Sequence, residues 1–184
     1  MNPISELKEE HQAVKVTLAV LREIASKLSR GQEVDLGHLN QILEFLITFV
    51  DKCHHGKEED LLFPALEKAG VPKEGGPIGV MLGEHDLGRG YVRELRQGLE
   101  DLKAGIQDAI AQIIENIEKY SDLLLRHIDK EDNILYPIAE KSFSAEENKT
   151  LMQGFEEIEE QRVGAGKHEE FHRMLHHLQE VYLG

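Results

Sequence analysis

Positive charge is scarce in this 184-residue sequence: 21 Lys and Arg stand against 35 Asp and Glu, a formal net charge of −14. A chain that binds nucleic acid or an anionic membrane surface concentrates basic residues on one face. No such concentration occurs here, so neither is expected as a partner. The single cysteine, Cys53, excludes an intramolecular disulfide framework and fits a reducing cytosol; it is expected to be a small buried spacer. No apolar run is long enough to cross a bilayer. The N-terminus, Met1-Asn2-Pro3-Ile4-Ser5-Glu6, lacks a basic stretch followed by an apolar one, so no signal peptide is predicted and a soluble, cytoplasmic protein is expected. No segment alternates apolar and polar residues in the two-residue rhythm of a strand. The chain reads as all-α.

What is present is helical periodicity. Ile4, Leu7, His11, Val14, Leu18, Leu21, Ala25 and Leu28 recur in steps of three and four, the spacing of one face of an amphipathic helix. A second stripe runs through Leu39, Leu43, Leu46, Val50, His54, Glu58 and Leu61, with Pro64 expected to break or kink it. The segment from Ala69 to Pro77 holds three glycines and two prolines and predicts a loop. A third stripe follows: Ile78, Met81, His85, Gly88, Val92, Leu95, Leu99 and Leu102. The fourth, after Gly105, takes in Ile106, Ile110, Ile113, Ile117, Tyr120, Leu124, His127, Glu131 and Leu135. Ser144 with Glu147 resembles a capping box and opens a fifth helical segment, which Gly164 and Gly166 are expected to bend or divide.

The polar residues in these apolar stripes form an internal repeat. His54, Lys57, Glu58, Leu62, Phe63 and Pro64 recur 73 residues later as His127, Lys130, Glu131, Leu135, Tyr136 and Pro137. Glu10-His11 recurs 74 residues later as Glu84-His85. Each half thus supplies one isolated histidine followed by His-x-x-x-Glu. Folding the first pair of helices back at residues 33–34 sets His11 and His54 at one height, about 22 and 20 residues from the turn at ~1.5 Å rise per residue; the second pair does the same for His85 and His127. An up-down-up-down four-helix bundle would gather all six residues near the end that carries the loop before Ile78. Residues four apart share a helix face, so each His-x-x-x-Glu can hold one ion. Imidazole with carboxylate suits iron, zinc or manganese, and metal coordination would remove the cost of burying unpaired glutamates. Tyr120 is read as core packing, with donation toward the site as the second reading. Lys57 and Lys130 are expected to face solvent.

This pattern, with an aromatic-Pro pair closing each second motif, resembles the hemerythrin-like cation-binding domain family over residues 1–141. The resemblance implies His11, His54, Glu58, His85, His127 and Glu131 as ligands of a non-haem di-iron centre with both glutamates bridging. It also implies binding, sensing or handling of O₂, nitric oxide, peroxide or iron. Two iron ions are expected, with zinc the second choice. A sensing role calls for a protein partner or a homo-oligomer. Oxygen-carrying members have a further histidine four residues after the third-helix one, where this sequence has Arg89; His55 and His168 are the candidate substitutes. Residues 142–184 are expected to form a helical extension packed on the bundle.

A competing motif lies in that extension. His168-Glu169-Glu170-Phe171-His172 matches His-Glu-x-x-His, in which two histidines hold zinc and the glutamate acts as general base. It predicts a zinc metallopeptidase as the alternative function. His172, His176 and His177 are otherwise expected on the surface, and a metal-free helical interaction module is the third reading.

Overall fold

The computed structural model describes residues 2–184; Met1, at the head of the N-terminal reading, lies outside the described residues. Among the described residues the regular structure is all helical. Helix α1 spans Pro3–Ser29. Asn2 starts it: its side chain accepts the Ser5 N–H at 2.8 Å while the Ser5 hydroxyl accepts the Asn2 N–H at 3.0 Å, a reciprocal cap. Gly31, at φ 68°, ends it by taking the left-handed conformation that lets Gln32 N–H reach back to Lys27 O at 2.9 Å.

The second run is continuous over residues 36–68: α2 (Leu36–Phe45), two π-helical segments (Leu46–His55 and Glu58–Leu62) and α3 (Phe63–Lys68). Pro64 does not break it. The turn ahead of Pro64 is widened, so that Phe63 N–H bonds five residues back to Glu58 O, and the helix continues past a residue that has no N–H to give. The widened turn also rotates the face: Leu62, not Leu61, is fully buried. After the loop at 69–76 come α4 (Pro77–Lys103) and α5 (Ala109–Lys130), then a third π-helical segment (Glu131–Leu135) and α6 (Tyr136–Ser142). Pro137 repeats the arrangement of Pro64, with Tyr136 N–H bonded to Glu131 O. Ile106 lies before α5 and is exposed.

Contacts close a ring: α1 packs on α5, α5 on α4, α4 on α2 and the first π-helical segment, and that segment on α1. Helices α7 (Ala145–Arg162) and α8 (Lys167–Leu183) lie against this ring, α8 on α1 and α2, α7 on α1 and the first two π-helical segments. Ser144 caps α7 with Glu147 as the sequence indicates. Gly154 permits the close approach of α7, since a Cβ there would stand 2.7 Å from Leu61 Cδ1.

Two apolar clusters result. The larger joins, among others, Val14, Leu18, Phe45, Val50, Leu95, Ile117 and Leu124 with Phe171, Leu175 and Leu178 of α8. The smaller joins Ile4, Leu7, Leu62, Phe63, Ile78, Met81, Leu135 and Tyr136 with Phe155 of α7. Each of the four long runs contributes to both clusters, and its buried histidines and glutamates fall where the two contributions meet. At that level lies a buried polar layer containing the six residues singled out by the repeat.

Candidate metal centre

His11, His54, Glu58, His85, His127 and Glu131 are all buried, the two glutamates completely. Their ring nitrogens face one another in pairs: Nε2 of His11 lies 3.1 Å from Nε2 of His54, and Nε2 of His85 lies 3.1 Å from Nε2 of His127. Two nitrogens bound at right angles to one ion, each at about 2.1 Å, stand ~3 Å apart. Without a shared proton or ion, facing lone pairs at that separation repel.

The glutamates lie between the pairs. Glu131 Oε2 is 3.2 Å from His11 Nε2 and its Oε1 3.2 Å from His127 Nε2. Glu58 Oε2 is 3.4 Å from His85 Nε2 and 3.8 Å from His54 Nε2. Each carboxylate thus reaches one histidine of each half. Glu58 Oε2 and both oxygens of Glu131 are buried with no hydrogen-bond partner, a costly condition for charged groups unless something else satisfies them. Of three sets of donors whose ligand atoms lie within 4.8 Å of one another among the described residues, two are built from this layer: His11, His54 and Glu131, and His55, Glu58, His85 and His127. The donor chemistry and the orphaned oxygens fit two cations.

Behind the histidines stands a ring of carboxylates that sequence reading missed. The Nδ1 of His54 pairs with Glu10 at 2.7 Å, and that of His127 with Glu84 at 2.9 Å. His11 Nδ1 pairs with Asp132 and His85 Nδ1 with Glu59, both at 2.7 Å. An Nδ1–H donated outward fixes the tautomer and leaves the Nε2 lone pair facing the centre. The signal was available, because these acids repeat at the displacements of the histidines. Tyr136 was also missed: its hydroxyl donates to Glu58 Oε1 at 2.7 Å. The matching Phe63 has no hydroxyl, so the two halves differ here. Tyr120 is buried in the larger cluster and lines a cavity of about 250 Å³ that reaches His55, Gly88 and Arg89.

Electrostatics follow from this geometry. Burial alone would lower His11, but the adjoining carboxylates of Asp132 and Glu131 outweigh it and hold the imidazole up at about 9. Burial likewise opposes protonation of His127, and Glu131 with Glu84 overcomes it, giving about 10. Glu131 is held well below the usual carboxylate range, burial being outweighed by His127 and His11. Burial and the neighbouring His85 push His55 the other way, well below the ordinary histidine value.

Lys57 corrects an expectation. It is not solvent-facing but fully buried, with Nζ 2.6 Å from Glu10, 2.7 Å from Glu6 and 3.4 Å from Glu159. Helix α7, which contributes Glu159, covers it. Its counterpart Lys130 pairs with Glu84 and stays partly exposed. Cys53 is a buried spacer, its thiol pushed up to about 12 by burial.

The two candidate substitutes for the position of Arg89 separate. His55 joins the group around His85 and His127; His168 lies elsewhere, with Glu10 and Glu159, both of which pair with the Lys57 ammonium. The His168 and His172 rings stand 5.9 Å apart. His172 is exposed, as are His176 and His177, and His172 joins no potential metal-binding group among the described residues.

Comparison with known proteins adds a family. Residues 2–139 match the model described as the hemerythrin HHE cation binding domain. The chain is also 26% identical over 159 residues to the uncharacterized protein Mb2018 of Mycobacterium bovis, a match covering 86% of this chain and 62% of the relative. The same figures hold for the uncharacterized proteins MT2051 and Rv1995 of Mycobacterium tuberculosis. The chain therefore spans less than two thirds of the length of the curated relatives it matches. Among the described residues no helix is long and apolar enough to cross a membrane.

Proposed function

From the premise that the chain belongs to the hemerythrin HHE cation binding domain family, we propose that it is a non-haem di-iron protein. His11, His54, Glu58, His85, His127 and Glu131 would hold the two ions, with Glu58 and Glu131 each placed to serve both. The observation that carries this reading is the placement of each buried glutamate within reach of a histidine from either half. The runs α1, α2–α3, α4 and α5–α6 are read as an up-down-up-down bundle over residues 1–141, with 142–184 as its helical extension.

When bound, such an iron pair supplies reversible one- and two-electron chemistry toward O₂, nitric oxide or peroxide. The chain's own residues do the rest. Glu10, Glu59, Glu84 and Asp132 orient the imidazoles and raise their basicity. Tyr136 holds a proton against Glu58 Oε1. The two apolar clusters exclude water from either side of the polar layer. The role proposed is binding, sensing or handling of one of these small molecules, or of iron, in the cytoplasm, with neither nucleic acid nor membrane as partner. A sensor would pass its signal to a protein partner or a second copy of the chain. The reduced, iron-loaded chain is expected to change its visible spectrum once per site on addition of O₂, nitric oxide or hydrogen peroxide. An iron-loaded chain that shows no response to any of the three would refute this reading; sustained consumption of peroxide would make the protein an enzyme.

A pH dependence follows. Ions must displace the protons that His11 and His127 hold up to about 9 and 10, so binding releases protons and affinity rises with pH through that range. The metal-free chain has the opposite slope. Raised histidine values contribute stability that is full below about 6.5 and is lost as pH climbs through 9 to 10. Titration calorimetry in buffers of differing ionisation heat checks the first point, and identical apparent enthalpies in all buffers would contradict it.

A further inference from the structure

The two halves of the polar layer are not equivalent, and the difference centres on His55. The position matching it in the second half is Ile128, an apolar core residue. His55 is 5% exposed, and its Nδ1 has no hydrogen-bond partner. Its ring stacks on that of His85, with centroids 3.8 Å apart and planes at 17°. One of its nitrogens lies within 4.8 Å of ligand atoms of Glu58, His85 and His127. A second-sphere carboxylate is in place as well: Asp51 Oδ1 is 3.5 Å from Nδ1, the same side of the ring that faces an acid in the other four histidines.

Arg89 connects this pair of histidines. Its Nε donates to Asp51 Oδ1 at 2.7 Å and its Nη2 to Glu59 Oε1 at 2.5 Å. One guanidinium therefore holds the carboxylate behind His55 and the carboxylate behind His85. Its planar fork suits two such acceptors better than a lysine would.

We propose that His55 is a fifth histidine donor, serving the ion held with Glu58, His85 and His127, and that Arg89 is a positioning residue which orients His55 and His85 through Asp51 and Glu59. The inference rests on the two-ion reading and deepens it. A buried imidazole that turns Nδ1 toward a carboxylate and has a nitrogen within 4.8 Å of three other donors is better accounted for by ligation than by packing alone. The consequence is an asymmetric pair: three histidines on one ion and two, His11 and His54, on the other.

The test is proton magnetic resonance of the full chain loaded with cobalt(II), in ordinary water. Each ligated imidazole then gives one exchangeable Nδ1–H signal displaced far outside the normal range by the unpaired electrons. Five such signals are expected, falling to four in His55→Gln and also in His55→Asn, and remaining five in His172→Gln. In Arg89→Gln the count stays at five, while two signals broaden as their protons exchange faster with water. Two bound cobalt ions with only four signals in the unsubstituted chain would overturn the proposal and leave the two-ion reading standing. Fewer than two ions per chain would overturn that reading, and this inference with it.

Discussion

Replacing Glu131 with alanine is expected to empty both metal positions, lowering metal content from two ions per chain to below one. The carboxylate is fully buried, and its two oxygens lie 3.2 Å from His11 and 3.2 Å from His127, donors that belong to opposite pairs. On the two-ion proposal its loss would take a ligand from each ion and remove the negative charge between them. Changing a residue merely behind a metal ligand weakens binding by about 10- to 100-fold, and a bridging donor should exceed that. Stability falls through linkage: a ligand at about 100 times its dissociation constant adds ~2.7 kcal/mol, which the variant forfeits. Glu131→Gln, which keeps the volume and removes the charge, should lose metal almost as completely and so separates coordination from packing. Elemental analysis and thermal melting with and without added metal check both parts. A Glu131→Ala chain that still holds two ions would contradict the bridging role.

Lys57→Met is expected to destabilise the chain by about 3–5 kcal/mol, the usual cost of removing one partner from a buried ion cluster. Glu6 and Glu10 would lose the ammonium that stands 2.7 and 2.6 Å from them. Burial would raise Glu10, but His54 and Lys57 outweigh it and hold the carboxyl down at about 2. Part of that support goes with the lysine, and His54 loses a firmly ionised partner behind its Nδ1. The matching substitution in the other half, Lys130→Met, should change stability by no more than roughly 0.5 kcal/mol, because that pair is partly exposed and screened. Denaturant midpoints for the two variants measure the contrast. Equal effects would show that the cover provided by α7 has no energetic weight.

These two lysines also mark how far the sequence can be read. Both occupy the same place in the repeat, and local pattern assigns both to solvent. Only the later α7, carrying Phe155 and Glu159 over Lys57, makes them different, and a non-local cover leaves no trace in the motif itself. The convergence of His11, His54, His85 and His127 was legible, because isolated polar residues in apolar stripes at a constant displacement imply a shared level in the fold. The π-helical turns were not read, although Leu46, Val50, His54 and Glu58 advance by four at every step, a drift that a regular α-helix does not sustain on one face. Misreading that turn placed Leu61 rather than Leu62 in the core and left open a break at Pro64 that the widened turn averts. The hydroxyl of Tyr136 stood in plain view as half of an aromatic-Pro pair, but a tyrosine at that spacing looks like packing until a buried carboxylate is found 2.7 Å away.

The paired halves are proposed to hold two ions between them. The most direct measurement is elemental analysis of the full chain, as purified and after anaerobic loading with ferrous iron, beside His54→Ala and His168→Ala. Two irons per loaded chain, loss of metal in His54→Ala and full content in His168→Ala are expected. One zinc ion per chain, kept in His54→Ala and lost in His168→Ala, would contradict the two-ion proposal and move the working site to the C-terminal motif.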